Sequence, residues 1–195
     1  MFAPFSLPSK PIKQVLIREA TTAETLDFCD VLPEHEEALT TKFLNTIQDK
    51  EAFSDCLGWT AEDRRLALFW YWIHTTEDTF VSLDYDCPHC KQPHTHEFDM
   101  RDLAEGYQEI SGLASRDLTF EGRKLVISPL TGSHMEELEN MRLALMVEKE
   151  GSPAAVRKQA EIRFHKLKSA LYMADDHEKS AYKRDANLNN WLREL

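Results

Sequence analysis

The chain has 195 residues, 42% of them hydrophobic and 29% charged, with a formal net charge of −11; this describes one ordinary globular domain, or two small ones, able to bury a core. The longest purely apolar run, Leu66 to Ile73, is far short of the ~20 residues that cross a bilayer, and Met1 to Pro11 lacks the basic start and apolar stretch of an export signal. Residues 1 to 132 hold 12 Lys and Arg against 23 Asp and Glu, and residues 133 to 195 hold 11 of each, so the front part lacks the basic face that displaces counterions from nucleic acid.

Those bounds predict a protein made in a reducing cytoplasm, with no membrane and no nucleic-acid partner. In such a compartment four cysteines speak for metal binding or burial rather than for disulfides.

In chain order, residues 1–11 carry three prolines and read as an extended arm, with Phe2 and Phe5 either docked on the domain or offered to a partner. Ile12, Val15, Leu16 and Ile17 suggest a strand. Thr21 and Glu24 have capping-box spacing for a short helix. Pro33 suits the first turn of a second helix whose Leu39, Phe43, Leu44 and Ile47 recur at helical spacing. A third helix opens at Thr60, with Leu66, Phe69, Trp70 and Ile73 on one side and Leu68, Tyr71 and Trp72 on the others, the pattern of a central core helix.

Thr79 to Asp86 and His94 to Met100 alternate as two strands of a hairpin. Leu118 to Ile127 reads as a second hairpin turning at Glu121-Gly122 or just beside it. From Ser133, capped by Glu136, the remainder reads as helical, over about Ser133 to Glu150, Pro153 to Ala174 and Asp176 to Leu195. Stripes of Val156, Ala160, Phe164, Leu167 and Leu171, and of Leu188, Trp191, Leu192 and Leu195, call for cover from the domain or from a neighbour. The fold class is therefore α+β: an arm over 1–11, an α+β domain over 12–132 with two hairpins, and a helical C-terminal region over 133–195.

The chemistry concentrates at the first hairpin's tip, Cys87-Pro88-His89-Cys90-Lys91-Gln92-Pro93-His94-Thr95-His96, which gathers two of four cysteines and three of eight histidines. Two thiolates on a tight knuckle chelate one ion, and zinc accepts sulfur and imidazole together. Side chains alternate along a strand, so His94 and His96 face the same way and could close a site with Cys87 and Cys90. Lys91 stands where such knuckles often need the positive φ that glycine adopts most readily. The alternative is a knuckle whose thiols simply pack or have lost their ion. Cys29 and Cys56 are replacement ligands or small buried hydrophobes.

Two rival readings share these residues. A thiol-disulfide oxidoreductase using Cys87 and Cys90 needs its first cysteine at a helix N-terminus, and Pro93 argues against a helix there. A zinc-ribbon nucleic-acid-binding regulator needs basic charge. No glycine-rich phosphate loop, nucleophile elbow or His-Glu-x-x-His motif appears. His35, His134, His165 and His177 lie in charged or capping contexts, and His74 ends the aromatic helix. Nothing pairs with them, so neither an enzyme nor a small-molecule substrate is expected.

The chain resembles the baseplate hub assembly proteins of T-even-like contractile-tailed phages. The likeness runs over roughly residues 7 to 105. It comprises Leu7-Pro8-Ser9-Lys10, the strand with Ile17-Arg18-Glu19, the helix start Thr22-Ala23-Glu24, a long acidic amphipathic helix, the helix Asp63 to Ile73, and the hairpin with Cys87 and Cys90 closing on Phe98-Asp99-Met100-Arg101-Asp102-Leu103. The helical end from Ser133 has no counterpart in it. The resemblance implies a non-enzymatic protein of the virion tail baseplate, assembled in the host cytoplasm. Its partners would be other phage tail and baseplate proteins, either as a resident of the particle or as a chaperone that leaves, and the zinc knuckle would act as a structural staple.

Overall fold

Pro8 and Ser9 turn the chain back on itself, and the arm becomes half of a hairpin. The computed structural model describes residues 2–29, 32–105, 114–174 and 181–194. In chain order its elements are β1 (Phe5–Leu7), β2 (Lys10–Val15), α1 (Thr22–Leu26), α2 (Glu36–Thr46), α3 (Ala61–Thr75), β3 (Phe80–Asp86), β4 (Pro93–Asp99), α4 (Met100–Glu105), β5 (Arg116–Phe120), β6 (Arg123–Ile127), α5 (Gly132–Met146), α6 (Pro153–Ala170), β7 (Leu171–Met173) and α7 (Ala181–Glu194). Among the described residues helix accounts for 50% and short antiparallel sheets for 22%, a mixed α+β fold.

The segment read as an extended arm carries β1, which pairs antiparallel with β2. Phe5 and Leu7, two residues apart on one face, are both buried in the main core with Val15, Ile17, Leu44, Ile47, Cys56, Trp59 and Ala67. Phe2 is tied down as well: its N–H donates to the Ile17 carbonyl at 3.0 Å and its ring lies against Tyr71 and His74. Docking on the domain, not presentation to a partner, is the outcome for both rings.

Helix starts follow the sequence where the cap is local. Thr21 with Glu24 and Thr60 with Asp63 form reciprocal capping boxes on α1 and α3. The cap of α2 comes from a distance instead: Glu139 on α5 accepts from the backbone N–H groups of Glu37 at 2.7 Å and Ala38 at 3.2 Å. Glu136 bonds the Thr41 hydroxyl rather than returning to Ser133. The start of α5 lies earlier than expected, with Thr131 flanking it and the Thr131 N–H donating to His134 Nδ1 at 3.3 Å.

The inner surface of α3 is partly polar. Arg64 is 2% exposed; its Nη2 donates to the Glu37 carbonyl at 2.7 Å and to Thr41 Oγ1 at 3.0 Å, and its Nη1 lies 3.4 Å from the Glu37 carboxylate. Burial pushes the Glu37 carboxyl above its usual range despite the attraction of Arg64. Asp63, fully buried, fastens the first hairpin to α3 by accepting from the Ser9 N–H at 2.9 Å and from the Ser9 hydroxyl. Met135 and Leu138 of α5 pack with Ala61 of α3.

The second hairpin turns at Glu121-Gly122, both at positive φ (47° and 74°), as a two-residue turn between twisted strands requires. Residues 171–173, expected as the end of a helix, form β7 and extend the sheet to the order β5-β6-β7. The free edge of β6 provides backbone partners there that a further helical turn would forgo. On α6 the expected stripe is turned away from α5: Val156 is 60% and Leu167 49% exposed, whereas Ile162 meets the α5 cluster and Lys158 reaches the Ala144 carbonyl at 2.9 Å. Leu188 of α7 is buried and Trp191 meets Phe120 edge-on at 6.2 Å, so that face docks on the chain itself. The expected helix start at Asp176 and the last residue of the stripe, Leu195, lie outside the described residues.

Candidate metal centre

The β3–β4 hairpin is held in strict register, Phe80 opposite Asp99 through Asp86 opposite Pro93. Alternation gives it two unlike faces. One carries Val81, Leu83 and Tyr85 opposite Phe98, His96 and His94. The other carries Phe80 with polar and acidic side chains: Asp84 accepts from the Thr95 hydroxyl at 2.6 Å, the Ser82 hydroxyl bonds Glu97 at 3.3 Å, and Asp99 accepts from the Thr79 hydroxyl at 2.5 Å. Thr79 and the N–H of Arg101 hold the Asp99 carboxyl below the usual carboxylate range. The apolar face stands open, with Leu83 57% and Tyr85 47% exposed.

At the tip the chain makes a tight knuckle. The Cys87 N–H donates to the Gln92 carbonyl at 3.0 Å and the Lys91 N–H to the Cys87 carbonyl at 2.9 Å. Lys91 takes φ 57°, so the position does require the left-handed backbone that glycine usually supplies. The backbone N–H groups of Cys90 and then His89, with the Cys90 side chain, lower the Cys87 thiol below its ordinary range. A lowered thiol favours the thiolate, the form that binds metal.

The donors that converge are Cys87, Cys90 and His94, whose ligand atoms all lie within 4.8 Å of one another. Cys90 Sγ is 3.1 Å from His94 Nε2, and the Tyr85 ring stacks on the His94 imidazole at 5.9 Å. Tetrahedral bonds of the usual zinc–sulfur and zinc–nitrogen lengths put neighbouring ligand atoms about 3.5 to 3.8 Å apart, so small side-chain movements suffice. This cluster could hold a metal ion.

His96, expected as a fourth ligand, is not in the group. It shares the face with His94, but two residues of strand carry it about 6.6 Å farther along, where its ring stacks on Phe98 at 5.7 Å. Sharing a face is not the same as sharing a point. Neither alternative cysteine lies at the tip: Cys56 is buried in the core, where burial pushes its thiol up to about 11, and Cys29 sits after α1 with its sulfur 3.4 Å from the Thr25 carbonyl.

Three of the other histidines have structural partners, His134 through Thr131 as above. His74 Nδ1 lies 2.7 Å from the Trp70 carbonyl and His165 Nε2 2.9 Å from Glu137; His177 lies outside the described residues. The helix N-terminus that a dithiol oxidoreductase needs is not at Cys87, which follows a strand and precedes a turn. Sequence reasoning missed the open Leu83–Tyr85 face, although the alternation Val81, Leu83, Tyr85 was its visible signal. Among the described residues no helix is long and apolar enough to cross a membrane. Comparisons with protein-family models, with curated proteins and with solved structures find no match for this chain.

Proposed function

We propose that the chain is a non-enzymatic structural or assembly protein that docks on other proteins of a contractile phage tail baseplate, with a structural zinc ion holding the tip of the β3–β4 hairpin. One observation carries the reading. Two thiols and an imidazole converge at the tip of an exposed hairpin whose apolar face is open, and a metal-stapled strand pair of that kind presents a rigid surface to another protein. The baseplate setting rests on the resemblance of residues 7 to 105.

In this reading Cys87, Cys90 and His94 hold the ion, which supplies no reaction and only fixes the turn. The acidic front and the open hairpin face are the docking surfaces. The test is coexpression of a tagged chain with the baseplate proteins encoded beside it, followed by size-exclusion chromatography. A stable complex that is lost when Leu83→Asp is introduced supports the reading; a chain that elutes alone beside every such protein contradicts it.

A further inference from the structure

We infer that the hairpin tip is a reversible thiol–disulfide site, at which Cys87 and Cys90 close into a disulfide with one another and that bond and a metal ion exclude each other. The exclusion rests on the zinc reading above; the closure rests on the two thiols alone. Their sulfurs lie within 4.8 Å of one another. The turn that carries them is closed by the Lys91 N–H, which donates to the Cys87 carbonyl at 2.9 Å, and by the Cys87 N–H, which donates to the Gln92 carbonyl at 3.0 Å. Beneath it the ladder begins with Asp86 opposite Pro93, so both cysteines ride on one short loop and side-chain rotation brings their sulfurs into bonding range. Cys87 is half-buried and Cys90 exposed, within reach of a dissolved oxidant, whereas Cys56 is buried in the core. Cys29 stands apart, after α1, with its sulfur on the Thr25 carbonyl.

The oxidant is a low-molecular-weight disulfide, and the step is an exchange with it. The Cys87 sulfur attacks one sulfur of the oxidant, whose S–S bond breaks, and the first half leaves as a thiol with the Cys87 proton. The Cys90 sulfur then attacks the Cys87 sulfur, the mixed disulfide breaks, and the second half leaves as a thiol with the Cys90 proton. Two protein thiols are oxidised and one disulfide is reduced to two thiols. Metal binding needs the thiolates, and the new bond removes both at once, leaving the His94 imidazole too weak a holder to keep the ion. A reducing dithiol reverses the exchange and restores the site.

The experiment exposes full-length protein to oxidised glutathione, one sample loaded with zinc and one stripped by a chelator. Cysteine peptides are mapped by mass spectrometry while a chromogenic chelator follows free zinc. The expected result is a Cys87–Cys90 disulfide in both samples, one zinc ion released per disulfide from the loaded one, and recovery of thiols and bound ion on adding dithiothreitol and zinc. Cys90→Ser should instead keep glutathione attached to Cys87. Thiols left unreacted in stripped wild type, or lasting glutathione adducts on Cys87 and Cys90 in place of the disulfide, overturn the inference. A loaded sample that binds no zinc, or that forms the disulfide and keeps its zinc, overturns the zinc reading and the exclusion with it, while the stripped sample decides the closure separately.

Discussion

Replacing Asp63 by Ala should be among the most damaging single changes in this protein. The side chain is fully buried and serves two elements at once: Oδ1 accepts from the Ser9 N–H at 2.9 Å, and Oδ2 accepts from the Thr60 N–H at 3.0 Å and from the Ser9 hydroxyl. Alanine leaves the Ser9 and Thr60 donors without their partner, at about 1 to 3 kcal/mol each when the group stays away from water. The helix cap is part of the same loss, and partial access to water trims the sum to about 3 kcal/mol. For a chain of this size that is a fall in Tm of about 6 to 12 °C. The assay is thermal and urea unfolding of wild type, Asp63→Ala, Ser9→Ala and the double variant. Because Ser9 and Asp63 share one contact, the double variant should show a coupling of at least about 0.5 kcal/mol. An Asp63→Ala variant within 1 kcal/mol of wild type, or strict additivity with Ser9→Ala, would refute the reasoning, the threshold being about the net worth of one ordinary hydrogen bond.

Gly132→Ala should destabilise by about 1 to 3 kcal/mol through overpacking, because the added Cβ would lie 2.6 Å from Arg64 Nη1 and 2.7 Å from the Cys56 carbonyl oxygen; unchanged urea unfolding would contradict it. The Arg18 guanidinium, and after it the Thr21 N–H, hold the Glu24 carboxyl at about 2 against an ordinary 4.5. Since the folded value is the lower one, its contribution is present above the ordinary value and lost as pH falls toward 2. Carboxyl titration by NMR should find Glu24 near that low value in wild type and near the ordinary range in Arg18→Ala. In metal-free native protein, iodoacetamide should label Cys29, Cys87 and Cys90 while Cys56, buried and with its thiol raised to about 11, reacts only after unfolding; equal labelling of all four by mass spectrometry would contradict the core placement.

How much was legible follows from the range of the interactions. Elements whose signals are local came through: the capping box at Thr21, the helix start at Thr60, the hairpin turn at or beside Glu121-Gly122, and the alternation of β3 and β4. What failed was decided by contacts distant in sequence. The prolines of the arm hid β1, because its ladder depends on Val15 and Gln14 across the hairpin. Leu171 to Met173 end a helical pattern, yet they pair with β6, more than forty residues earlier. The cap of α2 is Glu139, and no spacing rule reaches that far. The burial of Arg64 depends on the carbonyl of Glu37 and the hydroxyl of Thr41, more than twenty residues earlier.

The site divides along the same line. Cys87, Cys90 and His94 are close in sequence and meet at one turn, so spacing found them. His96 passed the face test and failed on distance, which strand alternation alone does not measure.

The most direct test of the account is the zinc content of freshly purified full-length protein, measured by elemental analysis beside Cys87→Ser, Cys90→Ser, His94→Ala and His96→Ala. The account predicts one zinc ion per chain in wild type and in His96→Ala, with loss of the ion and a lower Tm in the other three variants. No zinc in wild type, or zinc undiminished by Cys87→Ser and Cys90→Ser, would contradict a metal centre at the hairpin tip.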